Sequence, residues 1–109
     1  MVDKKIAHGT GNIARGPAIT HKQAVQTLLN GAAVVEAELE KGLDILETGD
    51  MGIGSTTPSA AIAATITGRM PAEIVGRNTG VDDAGLARKI AAVQSALAVN
   101  RPDPHDGAD

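Results

Sequence analysis

The sequence contains no cysteine and no Phe, Tyr or Trp. The lack of cysteine excludes disulfides, thiolate catalysis and cysteine-based zinc sites. The lack of aromatics leaves no platform on which bases could stack, which argues against single-stranded nucleic acid as a partner. It also bears on folding. Aromatic side chains ordinarily supply core area at about 150–250 Å² each, and a domain of this size should bury roughly two-thirds of the surface its unfolded chain exposes. In this chain of 109 residues, 42% hydrophobic, Ala, Val, Ile and Leu must supply that area. The core is therefore expected to be thin, or completed by something outside the chain. Basic charge is scarce as well. Ten Lys and Arg face 13 Asp and Glu, for a net charge of −3, which is no electrostatic footprint for nucleic acid or an anionic membrane. No apolar run approaches the ~20 residues of a membrane span, and Met1 to Lys5 is not followed by the apolar stretch of a secretory signal. The three His residues are scattered, which speaks against a His-based metal site. The expectation is one cytoplasmic domain, or a piece of one, without a metal or cofactor.

What is present is a chain of helices punctuated by glycine. Residues 1–19 are turn-rich, with His8-Gly9-Thr10-Gly11-Asn12 and Gly16-Pro17 as loop signals. Thr20 and Gln23 have the spacing of a capping box and open a first helix. Val25, Leu28, Leu29, Ala32, Val35 and Leu39 form its apolar face, and Gly42 closes it. Leu43 to Thr48 reads as a short strand, with helix as the alternative. Gly49 to Gly54 is a loop. A second helix is expected from Thr57, with Pro58 at its first position, ending at Gly68. Its small side chains suit close packing on every side. Met70 to Val75 suggests a helical turn, and Gly76 to Gly80 a second glycine loop. Asp82 caps a last helix with Leu86, Ile90, Val93 and Leu97 as its stripe, ended by Asn100, Pro102 and Pro104. The resulting plan is a nucleotide-site segment over residues 20–101 and an unstructured tail over residues 102–109. The fold class is α/β: a partial, helix-rich fragment of a parallel-sheet, three-layer domain, with too few strands for a complete sheet.

The segment from Gly49 to Pro58 carries the chemistry. A strand feeds a glycine loop, which feeds a helix start. Gly52 and Gly54 let the backbone turn and approach a ligand with no Cβ in the way. The first amides of the helix have no partners within it and carry the positive end of the dipole. Ser55, Thr56 and Thr57 add three hydroxyls. The natural guest is a phosphate. The pattern is not a Walker A loop, because no Gly-Lys-Ser/Thr follows, and Thr57 stands where a dinucleotide fingerprint has its third glycine. The plain alternative is a sharp strand-to-helix turn with an ordinary N-cap. Lys89 borders the apolar stripe of the last helix, and its ammonium either reaches an anion or snorkels into water. Asp50 either accepts from two ribose hydroxyls or stabilises its own turn. Glu47 is undecided, and surface imidazole is the reading for His8, His21 and His105.

Thr48-Gly49-Asp50-Met51-Gly52-Ile53-Gly54-Ser55-Thr56-Thr57 resembles the hallmark segment of the nicotinate-nucleotide–dimethylbenzimidazole phosphoribosyltransferase family. Asn12 to Thr20, Val75 to Asp82, Leu86 to Lys89 and Asn100 to Pro104 are similar to further family stretches in the same order, so the resemblance spans His8 to His105. It implies transfer of phosphoribose from nicotinate mononucleotide to 5,6-dimethylbenzimidazole, giving α-ribazole 5′-phosphate and nicotinate, a step in assembling the lower loop of cobalamin. It also implies a homodimer with no cofactor, and it makes nicotinate mononucleotide and an aromatic base the partners. By resemblance, Gly52, Gly54, Ser55, Thr56 and Thr57 line the nucleotide site, Asp50 stands near the ribose, Lys89 pairs with the phosphate, and Thr79 and Gly80 border the same site. The family usually carries Glu and Asn where this chain has Asp50 and Ser55. Its members are longer, and its proton-accepting glutamate lies in a later part, so no residue of this chain is assigned as catalytic. The expectation is the nucleotide half of a site without its general base. The alternatives are a stand-alone nucleotide binder, or an inactive fragment that needs a completing chain.

Overall fold

The structure is a computed structural model and describes residues 2–77 and 81–108. It contains four helices: α1 (His21–Leu39), α2 (Thr56–Thr67), α3 (Pro71–Ile74) and α4 (Asp83–Asn100). Their ends follow from local chemistry. At α1 the Gln23 amide donates to Thr20 Oγ1 at 3.2 Å, and the Thr20 amide donates to Gln23 Oε1 at 2.8 Å, the reciprocal cap that the spacing predicts. At α4, Asp82 Oδ1 accepts from the Gly85 amide at 2.7 Å. α2 ends at Gly68, whose amide donates to the Ala64 carbonyl. α3 is the single turn expected after Met70, with the Met70 amide held by Glu73 Oε2 at 3.0 Å.

The core sits between α2 and α4. Ala60 and Ala61 of α2 meet Val93 of α4, with Ile13, Ile74, Val75 and Leu97 packed around them. Small side chains on α2 let α4 approach closely, and Val93 is completely buried. The N-terminal segment is stapled onto this unit by Asn100, whose Nδ2 donates to the Ile13 carbonyl at 2.8 Å and to the Ala96 carbonyl at 2.9 Å.

Three expectations are corrected. The strand over Leu43–Thr48 is not formed, and no strand occurs among the described residues. A strand exists through its ladder to a neighbour, and no neighbour lies alongside; Ile45 is 84% exposed. The helix-rich part of the expected fold class is present and its sheet is not. Second, the apolar face of α1 holds no buried residue. α1 makes no packing contact with the other three helices, and Leu28, Leu29 and Leu39 are exposed. Third, α2 is not enclosed on all sides, since Ile62 and Ile66 face solvent. The radius of gyration is 16.1 Å, against about 13 Å for a compact chain of this length. In the tail, the His105 amide bonds Asp103 Oδ1 at 2.9 Å, and Asp106 Oδ2 comes within 4.0 Å of His21 Nε2. No described helix is long and apolar enough to cross a membrane.

Candidate anion site at the start of helix α2

The loop before α2 turns on Gly52 at φ +70° and Gly54 at φ +78°, a region open to glycine and costly to other residues. Ser55 follows as N-cap, but its side chain makes no forward cap. Its hydroxyl instead donates back to the Gly52 carbonyl at 3.0 Å. The helix begins at Thr56, so Pro58 occupies its third position, two places further in than the sequence reading put it. Proline has no amide to donate. The Ser59 amide is already bonded to the Ser55 carbonyl at 3.0 Å. That leaves the Thr56 and Thr57 amides as the free donors of the first turn, with no protein acceptor among the described residues.

A cavity of about 320 Å³ opens beside this turn. Thr56, Thr57 and Ser59 form its polar end, and Ala60, Ala63, Ile74, Val75 and Val93 its apolar wall. Lys89 and Gly76 complete the lining. Lys89 comes from α4, and its ammonium donates to Thr56 Oγ1 at 3.2 Å. It is half-buried, it is the one charged residue on the lining, and no carboxylate of the described residues pairs with it.

This placement is electrostatically unusual. The positive end of a helix favours anions, and a cation there is unfavourable by about 0.3–1 kcal/mol. Here Lys89 lines one space with Thr56 and Thr57, whose amides are free, and no carboxylate lines it with them. An anion placed there would accept from both amides, the Thr hydroxyls and the ammonium, and the charged hydrogen bonds would be the strong ones.

Of the residues singled out from the sequence, Thr56, Thr57 and Lys89 are brought together on this cavity. Gly52 and Gly54 shape the turn that leads into it, with open space around both. Ser55 is turned away onto the loop, and Asp50 is exposed beyond it; neither lines the cavity. Thr79 and Gly80 lie outside the described residues. Among those residues no group of three His, Asp or Glu is placed to hold a metal. The sequence reading missed Ser59 and the wall formed by Ala60, Ala63, Ile74, Val75, Gly76 and Val93. The adjacency of Met70–Val75 to a glycine loop is the signal that pointed toward part of it.

A family model described as phosphoribosyltransferase matches residues 1–109. The chain is 55% identical over 109 residues to the nicotinate-nucleotide–dimethylbenzimidazole phosphoribosyltransferase of Desulforudis audaxviator, covering 100% of this chain and 31% of that protein. It is 50% identical to the protein of the same name from Roseiflexus sp. strain RS-1, again over 31% of its length. The crystal structure of CobT from Thermus thermophilus superimposes with a TM-score of 0.79 at 45% identity, over 91% of this chain and 29% of that one. The chain thus spans about a third of the length of these relatives. The chain belongs to the nicotinate-nucleotide–dimethylbenzimidazole phosphoribosyltransferase family.

Proposed function

We propose that this chain provides the nucleotide-holding part of an enzyme that moves phosphoribose from nicotinate mononucleotide to 5,6-dimethylbenzimidazole. The single observation that supports the reading is that Lys89 of α4 bonds the Thr56 hydroxyl on a cavity lined also by Thr57, at the start of α2. The 5′-phosphate sits there. The ribose then lies toward the Gly52–Gly54 turn, within reach of Asp50, whose carboxylate accepts from two hydroxyls at once. Ser55 supports the turn. Thr79 and Gly80 of the second glycine loop border the same site.

The chemistry suits such a holder. The pyridinium of nicotinate mononucleotide is a good leaving group, because its departure from C1′ restores a neutral aromatic ring. One ring nitrogen of dimethylbenzimidazole attacks from the opposite face, so C1′ is inverted. A C–N bond forms as another breaks, and the second ring nitrogen gives up its proton to a base. The products are α-ribazole 5′-phosphate and nicotinate. Fixing phosphate and sugar contributes through orientation. The proton acceptor is a glutamate supplied from outside residues 1–109. The exposed side chains of Ile45, Leu46, Met51 and Ile53 and the open face of α1 fit a chain that packs against segments outside these residues.

Isothermal titration of the chain with nicotinate mononucleotide tests the reading. Saturable binding that is lost in Lys89→Ala supports it, and binding that ignores the substitution removes the phosphate role. A product assay with both substrates separates the parts of the proposal. Formation of α-ribazole 5′-phosphate by the 109 residues alone would overturn the assignment of the base to a segment outside them.

A further inference from the structure

The cavity has one firm side and one light side. The firm side is α2 packed on α4. The light side is the edge formed by Ile74, Val75 and Gly76, which follows the single turn of α3; its last helical bond runs from the Val75 amide to the Pro71 carbonyl at 2.9 Å. The next residue, Arg77, does not line the cavity. Its Nη1 meets Asp83 Oδ1 at 2.5 Å. Asp83 is the first residue of α4 and is well founded: the preceding Asp82 caps Gly85, and the Leu86 amide donates to the Asp82 carbonyl at 2.9 Å. Lys89 stands on the same helix, six residues on. The pair therefore joins the light edge to the element that carries the cation.

We propose that Arg77 and Asp83 are positioning residues: their ion pair ties the Val75–Gly76 edge to the first turn of α4 and so holds the cavity at the width the anion needs. The inference rests on the reading of that cavity as a phosphate site. It adds a second consequence. The pair neutralises the Asp83 carboxylate, which would otherwise present a bare negative charge near an anion. Arg77 is not assigned as the anion's ligand, because its Nη1 meets Asp83 and it does not line the cavity. Both side chains are largely exposed, 62% and 85%, so the tie is modest, on the scale of a surface pair.

The test uses the 109-residue chain, inorganic phosphate as probe, and the variants Arg77→Gln, Asp83→Asn and the double. Each single variant is expected to weaken phosphate binding by about two- to fivefold, and the double to be no weaker than the worse single. That non-additivity isolates the pair from the loss of a favourable helix-end charge in Asp83→Asn. Amide exchange at Val75 is expected to quicken in all three without phosphate present. Tighter phosphate binding in Asp83→Asn would show Arg77 to be a free cation acting on the anion, and would overturn the tie. Unchanged exchange at Val75 would overturn it equally. Should the unsubstituted chain bind no phosphate, the phosphate reading falls, and the exchange measurement still decides the tie: faster in both single variants sustains it, unchanged sinks it.

Discussion

The ammonium of Lys89 donates to the hydroxyl of Thr56 at 3.2 Å across 33 residues of sequence, and so places a cation on the positive end of α2. Folding alone does not favour this contact, whereas an anion between them would. The two effects separate in one variant. Lys89→Met is expected to leave stability in denaturant unchanged, or to raise it by up to about 1 kcal/mol, because a misplaced charge is removed from a helix N-terminus. The same variant is expected to weaken nicotinate mononucleotide binding by roughly 10- to 100-fold, the loss of a charge-assisted hydrogen bond of about 1.5–3 kcal/mol. A stability loss well above 1 kcal/mol with binding intact would make Lys89 a structural residue.

Gly54 at φ +78° has no atom within 4 Å of the space a Cβ would take, so alanine there meets backbone strain and no clash. The strain is about 1–2 kcal/mol. It falls on the residue before the Ser55 cap and is relieved by letting the turn open, which moves the Thr56 and Thr57 amides. Gly54→Ala is expected to lower anion affinity more than it lowers the melting temperature of the α2–α4 unit, and Gly54→Asn, which tolerates the left-handed region better, to lie between. Calorimetric titration beside a thermal melt reads both. Equal affinity in all three chains would detach the turn from the site.

The elements whose determinants are local were legible from residue order. Thr20 with Gln23, Asp82 with Gly85, and Gly68 each act within a turn of the helix they bound, and each behaves as its spacing predicts. So does the turn of α3. What was not legible depends on neighbours. The partial alternation over Leu43–Thr48 is a propensity that needs a ladder, and the stripe of α1 needs a surface to cover; neither is present among the described residues. The site divides the same way. The glycine turn and hydroxyl run can be read locally. The placement of Lys89 depends on a contact with a residue 33 positions away. The wall from Ile74 to Gly76 and the Arg77–Asp83 pair exist only once α3 is set against α4.

Asn100 reaches from α4 to the Ile13 carbonyl, 87 residues earlier in the chain. Both hydrogens of its amide group are used on carbonyls, while its Oδ1 is buried without a partner. Turning the amide over would set an oxygen against two oxygens, so the orientation is determined. Asn100→Asp is expected to be worse than Asn100→Ala, because a carboxylate would face both carbonyls. The alanine variant is expected to cost about 1–3 kcal/mol and to free residues 11–19 first. Hydrogen exchange at Gly11, whose amide donates to the Ala18 carbonyl at 2.7 Å, reports that release. Equal exchange in the parent and the alanine variant would mean that the segment is held by the packing of Ile13 alone.

Val93 joins the core to the cavity: it is fully buried between Ala60 and Ala61 and also lines the site. Only five apolar residues other than proline are buried among those described, so each carries an unusual share of the cohesion. Val93→Ala deletes two methyl groups' worth of contact, about 2 kcal/mol with the cavity left behind. In a domain with a large core such a loss is absorbed. Here it is expected to abolish a cooperative thermal transition or shift it down by about 8 °C or more. Val93→Thr keeps the shape and buries a hydroxyl, and is expected to be as damaging, since burying a hydroxyl without a partner costs about 1–3 kcal/mol. Melts that matched the parent in both variants would show that α2 and α4 are held together by something other than this contact.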